Sequence, residues 1–219
     1  MLPLFGAIIA GFFRKQIGRA GAHYVTISCV FISFILSIWI AAALFGGYAE
    51  IVNTNLYTWA SGGALFPYSF HIGFMIDPLT VVMLVIVTFV SLLVHIYSIG
   101  YMADDDGYQR FFSYISLFTF MMLMLVTANN FLQLFFGWEG VGLVSYLLIS
   151  FYYHKESAIE GGLKAFLVNR VGDFGFILGI GLVLAYVGSL DYHAVFNSAQ
   201  ALAGEQIKIF GDTSWSLIT

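Results

Sequence analysis

Charged side chains are scarce in this sequence. Aspartate, glutamate, lysine and arginine make up 9% of its 219 residues, against 60% hydrophobic. A soluble domain carries about 25% charged residues, so a water-facing shell is missing, and a soluble catalytic domain with it. Cysteine is nearly absent. With Cys29 alone there is no disulfide and no cysteine-ligated iron–sulfur cluster or zinc site, and its mid-span position suits packing. The net charge of −4 comes without a basic stripe, which argues against a nucleic-acid partner. No G-x-G-x-x-G follows a strand, so nucleotide binding has no support. His95 is the lone histidine well inside an apolar run; His23, His71, His154 and His193 lie in loops or at boundaries. A bis-histidine haem would lack its second ligand, and His95 is expected to hydrogen-bond between helices rather than to carry protons.

Long apolar runs fill the chain instead. Tyr24–Phe45, Pro78–Gly100, Phe111–Thr127, Phe131–Ser150 and Ala165–Val187 each have the roughly 17–25 residues a membrane-crossing helix needs. Leu2–Phe13 is shorter, and Arg14 and Lys15 follow it rather than precede it, unlike a signal peptide; a clipped first span is expected. The fold class is therefore all-α: a polytopic membrane helix bundle of about six transmembrane helices. Residues 46–76 are not a span. Two stretches rich in aromatic and β-forming residues flank Ser61-Gly62-Gly63, so a short hairpin is expected between the second and third spans. Gly188–Ser214 reads as loop with a short surface helix around Ala199–Ala203. Trp215-Ser-Leu-Ile-Thr219 reads as an interfacial aromatic opening a further span, so the chain is expected to be a fragment.

Basic residues orient the bundle. Arg14, Lys15, Arg19, Arg110, Lys155, Lys164 and Arg170 fall on one side and Lys208 on the other. The positive-inside rule makes the first side cytoplasmic, or matrix in a mitochondrion, with both ends of the chain outside.

Within this apolar frame one carboxylate stands out. Glu139 lies eight residues into the fifth span, about 12 Å along a helix rising 1.5 Å per residue. An acid at such depth costs roughly 2.5–3.5 kcal/mol on insertion scales. Glu139 is therefore a functional candidate, the plainer reading being a carboxylate that only fastens a neighbouring helix. Gly137, Gly140 and Gly142 beside it allow close helix approach and leave room for water or a partner side chain. The sixth span carries Lys164, Arg170 and Asp173. Arg170 and Asp173 are i,i+3 and can meet on one face. One reading is a snorkelling lysine and a self-neutralising pair; the other is a charge relay from the inner surface to Glu139. Asp173, deeper in the span, points towards function. Gly172, Gly175 and Gly179 share a face with the small-xxx-small spacing of tight packing. Asp104-Asp105-Asp106 reads as a solvated inner loop.

The string Phe136-Gly-Trp-Glu-Gly-Val-Gly-Leu-Val-Ser-Tyr-Leu-Leu-Ile-Ser-Phe-Tyr-Tyr153 closely resembles the fifth-helix signature of the subunit L family of proton-pumping NADH–quinone oxidoreductase, whose mitochondrial counterpart is NADH dehydrogenase subunit 5. Lys164-Ala-Phe-Leu-Val-Asn-Arg-Val-Gly-Asp173 resembles its sixth-helix signature, and Asp77-Pro78-Leu79, His95-Ile-Tyr97 and Gly107–Phe112 its third span and following loop. The resemblance covers nearly the whole chain. It implies that residues 1–219 are the N-terminal part of an antiporter-like, proton-translocating domain in a bacterial inner or mitochondrial inner membrane. It implies Glu139, Asp173, Arg170 and Lys164 as the proton-translocation residues, Glu139 being the acid of a Glu–Lys pair whose lysine lies on the next helix, beyond this chain. It also implies other membrane-arm subunits and the lipid bilayer as partners. No cofactor or metal is expected in this subunit; NADH, FMN, iron–sulfur clusters and quinone belong to other subunits. A subunit of a multisubunit cation/proton antiporter is the rival reading, and an inserted remnant without function the third.

Overall fold

The computed structural model describes residues 1–62, 66–202, 206–210 and 213–216. In chain order it forms α1 (Leu2–Phe12), α2 (Arg14–Phe45), β1 (Val52–Gly62), β2 (Phe66–Ile76), α3 (Pro78–Tyr101), α4 (Tyr108–Val126), α5 (Phe131–Ile149), α6 (Glu156–Val187), α7 (Tyr192–Leu202), β3 (Gln206–Phe210) and β4 (Thr213–Ser216). Among the described residues five helices, α2 to α6, are long and apolar enough to cross a membrane. The protein is a polytopic membrane helix bundle. Its side chains turn an apolar exterior outwards: Trp39, Leu79, Leu167, Val168, Val171 and Phe174 are all exposed, as suits a lipid-facing surface.

Local chemistry sets the helix ends. Asp77 caps α3 by accepting from the Thr80 N–H at 2.7 Å, with Pro78 at the first helical position, where its missing N–H costs nothing. Asn130 caps α5 in the same way, accepting from the Gln133 N–H at 2.8 Å. At the far end of α6, Gly188 takes the left-handed conformation (φ 74°) and donates to the Leu184 carbonyl, a position that favours glycine. Gly18 breaks α2 at φ 64°, so the apolar part of α2 forms a separate helical segment. α6 starts at Glu156 rather than at Ala165, because Glu156, Glu160 and Lys164 lower hydropathy without leaving the helical backbone.

The helices pack in chain order, α2 on α3, α4 on α5 and α5 on α6, and α1 lies across α2 and α4. Serine hydroxyls of α4 hold the short α1: Ser113 donates to the Ala7 carbonyl at 2.7 Å and Ser116 to the Pro3 carbonyl at 2.8 Å. Cys29 packs beside Gly6 of α1.

Polar clusters close the two ends of the bundle. At one end the antiparallel hairpin β1–β2, which lies within the 46–76 segment, docks on the α4–α5 turn. Asn129 donates to the side-chain carbonyls of Asn53 (3.0 Å) and Asn55 (2.7 Å), and Asn130 to the His71 carbonyl (3.0 Å). The Gly73 N–H donates to the Gln133 side chain, and the Met75 N–H to the Thr127 carbonyl. The segment after α6 joins this cluster: His71 Nε2 donates to Asp191 at 2.7 Å, and Phe131 N–H to the Leu190 carbonyl. At the other end Arg19 donates to the Asp105 carbonyl, and Arg110 donates to the Phe151 carbonyl at 3.1 Å while lying over the Phe151 ring. The loops that carry most of the basic residues thus meet at one end.

α7 begins at Tyr192, earlier than the short apolar patch suggests; the expected helix end at Ala203 lies outside the described residues. Trp215, expected to open a further span, instead lies in β4 opposite Ile207 of β3; residues 217–219 lie outside the described residues.

Candidate functional site

The site forms where α5 and α6 face each other. α5 also packs closely on α4, and two glycines make that possible. A methyl group at Gly137 would lie 2.6 Å from the Leu125 Cα, and one at Gly140 would lie 2.5 Å from the Met121 sulfur. Both separations are far inside van der Waals contact; at Gly137 the neighbour is backbone and only hydrogen fits, while at Gly140 a methyl would have to displace the flexible Met121 side chain. Gly142 meets nothing within 4 Å and plays no such part.

With one face of α5 fixed on α4, Trp138 and Glu139 meet α6. Arg170 pairs with Glu139, the side chains being 33% and 22% exposed, and also pairs with Asp173 at 3.3 Å. Asp173 is buried, its side chain 10% exposed, and accepts a second bond from the Trp138 indole N–H at 2.8 Å. The guanidinium of Arg170 lies 4.5 Å from the Phe166 ring centroid, a cation–π contact that steadies its position. Trp138 in turn meets Phe176 edge to face. The result is two carboxylates from different helices sharing one guanidinium inside the apolar zone. A cavity of about 520 Å³ borders Asp173, Trp138, Asn169 and Gly172 on the α5–α6 side.

Three of the four candidate residues, Glu139, Arg170 and Asp173, come together. Lys164 does not: it is exposed near the start of α6 and makes no ion pair among the described residues. Among the described residues Arg170 contacts both acids and Lys164 contacts neither. The other missed feature is Trp138, which supplies the neutral donor to Asp173. Its adjacency to Glu139 was visible, but its bonding depends on the rotation of α5 against α6.

Two further expectations change. Gly172, Gly175 and Gly179 have no atom within 4 Å of an added methyl, so among the described residues nothing packs against these glycines. His95, fully buried, makes no interhelical hydrogen bond among the described residues; its Nδ1 bonds within its own helix to the Ser91 carbonyl at 2.7 Å. A backbone carbonyl four residues back is the nearest acceptor on a helix, and it satisfies that nitrogen first.

Residues 59–112 match the family model described as NADH-Ubiquinone oxidoreductase (complex I), chain 5 N-terminus. Residues 128–215 match the one described as NADH:quinone oxidoreductase/Mrp antiporter, TM. The chain is 57% identical over 221 residues to NADH-quinone oxidoreductase subunit L of Neisseria meningitidis serogroup A, an alignment covering 100% of this chain and 32% of that protein. It thus spans about a third of the length of the curated relatives it matches. Among solved structures, a chain of the membrane-bound sulfane sulfur reductase, an archaeal respiratory membrane complex, superposes with TM-score 0.75 at 16% identity, covering 91% of this chain and 39% of that one. A chain of the Mrp complex from Dietzia sp. DQ12-45-1b gives TM-score 0.68 at 21% identity, covering 93% and 21%. At those identities the likeness is one of fold. The site geometry sits on the Trp-Glu-Gly and Asn-Arg-Val-Gly-Asp strings, within the residues matched by the second family model; by these matches the chain belongs to the subunit L/chain 5 family of NADH–quinone oxidoreductases and corresponds to its N-terminal part.

Proposed function

We propose that this chain takes part in proton translocation as a membrane-arm subunit of an NADH–quinone oxidoreductase, in a bacterial or mitochondrial inner membrane. In this reading it works beside other membrane-arm subunits and does no redox chemistry itself; NADH, FMN, iron–sulfur clusters and quinone are handled elsewhere in the complex. The family to which the chain belongs supports the setting. The observation that carries the proposal is Arg170 shared between Glu139 and Asp173.

Charge counting explains why. Arginine keeps its proton under all relevant conditions, so with both acids ionised the triad carries one net negative charge. In an apolar zone such an excess is costly, because charge interactions strengthen as the dielectric falls. One proton on either acid neutralises the triad. Arg170 decides where the proton goes: paired with Glu139 it stabilises that carboxylate, and drawn towards Asp173 it leaves Glu139 without a counter-charge and ready to take up the proton. The Trp138 indole keeps Asp173 supplied with a donor in either case. The cavity beside Asp173 is roomy enough for water, which needs about 30 Å³ per molecule and polar partners. Lys164, exposed on α6 eight residues after its start at Glu156, serves at the entrance rather than in the triad.

A cation/proton antiporter subunit is the second reading, favoured by the fold shared with the Mrp complex. The same triad would serve there without electron transfer. Inverted membrane vesicles carrying the full-length protein in its complex separate the two. NADH-driven acidification that falls with Glu139→Gln supports the first reading, and sodium-driven proton flux without NADH supports the second.

A further inference from the structure

We propose that the groove between α3 and α4 is a phospholipid site. It holds one acyl chain of a lipid from the leaflet on the side of the basic loops, with the lipid phosphate at Lys155. The groove has a volume of about 480 Å³ and is walled by Met83, Val87, Val90 and Val94 of α3, Met122 of α4 and Leu148 of α5. Its rim is accessible, since Ile86, Val90 and Val94 are exposed. The two hydroxyls in its lining are already satisfied. Ser91 and Thr119 bond each other at 2.5 Å, and Thr119 donates to the Ile115 carbonyl at 2.9 Å. The groove thus offers an incoming group apolar surface and calls for no polar one.

Length and direction select the occupant. Met83, Val87, Val90 and Val94 recur every three or four residues and form one stripe along α3. From Met83 to Val94 the stripe is about 17 Å long. That is close to the depth of one leaflet, half of a hydrocarbon core of about 30 Å. The same spacing continues to Tyr97 and Tyr101, both exposed, whose rings stack at 5.8 Å. Within about 11 Å of its last valine, the stripe therefore runs into tyrosines of the kind that sit at the membrane boundary. Tyr101 ends α3, on the side where the basic loops meet. A transmembrane helix of another subunit would cross the whole core, whereas this groove covers about half of it and then turns polar.

The polar end carries a cation for a phosphate. Tyr152 interacts with Tyr101 and with the Asp105 carboxylate, which places it beside the end of the stripe. Nζ of Lys155 lies 5.1 Å from the centre of the Tyr152 ring. Lys155 is exposed and makes no ion pair among the described residues. Asp104, Asp105 and Asp106 share a second cleft with Arg14 and Arg110, whose guanidiniums offset them there. A phosphate at Lys155 meets an ammonium with three donors, and its esterified chain descends along the valine stripe.

The test uses phosphatidylglycerol with a photoactivatable diazirine on one acyl chain, exchanged into the intact complex containing the full-length protein. The complex is washed in detergent until bulk lipid is gone, then illuminated, and adducts are mapped by mass spectrometry. Adducts are expected on Met83, Val87 or Met122, and not on Ile35 and Trp39, which are exposed on α2. Val90→Trp, which fills the groove from an exposed position, should abolish them. Lys155→Gln should lower their yield about fivefold, the effect of one basic residue at a membrane surface, and Lys155→Arg should keep it. Diacylglycerol with the same labelled chain should wash away. No adducts in the groove, as when a helix of another subunit fills it, would overturn the proposal. Equal labelling of Ile35 and Trp39, the mark of bulk lipid, would do the same, as would unchanged yield in Lys155→Gln or equal retention of diacylglycerol. The result is independent of the triad: it stands whether or not Glu139→Gln pumps.

Discussion

The indole N–H of Trp138 on α5 donates to Asp173 on α6 at 2.8 Å, while Arg170 reaches the other oxygen of the same carboxylate at 3.3 Å. Asp173 is thus held by one neutral and one charged donor. Trp138→Phe keeps an aromatic ring against Phe176 but removes the N–H. The lost bond to a buried carboxylate is expected to weaken the α5–α6 contact by about 1–3 kcal/mol. Proton pumping per assembled complex should fall, though less than in Glu139→Gln, because both carboxylates and the guanidinium remain. Pumping equal to wild type would mean that Asp173 needs no donor from α5.

The glycines of α5 separate into two kinds. Gly137→Ala sets a methyl 2.6 Å from backbone atoms of Leu125 and forces α4 and α5 apart, an overpacking cost of about 1–3 kcal/mol. Gly140→Ala meets the flexible Met121 side chain and should be milder. Gly142→Ala, with open space, should be neutral. Thermal stability of the assembled complex, measured for all three, checks the order; equal effects at Gly137 and Gly142 would contradict the packing described.

This order also separates what was legible in the sequence from what was not. Glu139 stands out because an acid in an apolar run of twenty residues is costly anywhere along a helix, whatever its neighbours. The Arg170–Asp173 pair is legible because i,i+3 spacing fixes it within one helix. The pairing of Arg170 with Glu139, the indole bond and the different fates of Gly137 and Gly142 depend on how α5 is rotated against α4 and α6, and helix periodicity holds no record of a neighbour. The same limit explains the glycine face of α6, where the spacing suits tight packing but no described residue lies against it. Helix starts slipped where polar residues precede the apolar run, as at Glu156. The β3–β4 pairing went unread because strands of five and four residues carry too little alternation.

Asn130 ties α5 to β2: it caps α5, donates to the His71 carbonyl and donates to the side chain of Asn129. Asn130→Ala removes the cap, worth about 0.5–2 kcal/mol by itself, together with the tie to β2. The hairpin should become more open to protease than in wild type, while Asn130→Asp, which can still cap, should retain part of the protection. Limited proteolysis of membranes from the hairpin side provides the measurement. Unchanged cleavage in Asn130→Ala would show that the hairpin does not depend on this tie.

The meeting of the basic loops at one end gives a topology that can be tested. In a Cys29→Ala background, single cysteines replacing Asp106 and Glu156 should resist an impermeant thiol reagent in right-side-out vesicles and react after lysis, as the positive-inside rule requires. Strong labelling of either before lysis would reverse the orientation.

In the proposed function the carboxylate of Glu139 exchanges a proton, with Arg170 as its switchable counter-charge. Glu139→Gln preserves shape and hydrogen bonding and removes only the titratable charge, and Glu139→Asp keeps the charge on a shorter arm. The most direct measurement is NADH-driven acidification of inverted membrane vesicles, normalised to assembled complex. Assembly is expected to be normal in all variants, with pumping well below wild type in Glu139→Gln and partly retained in Glu139→Asp. Wild-type pumping in Glu139→Gln would contradict it and leave Glu139 a fastener between α5 and α6.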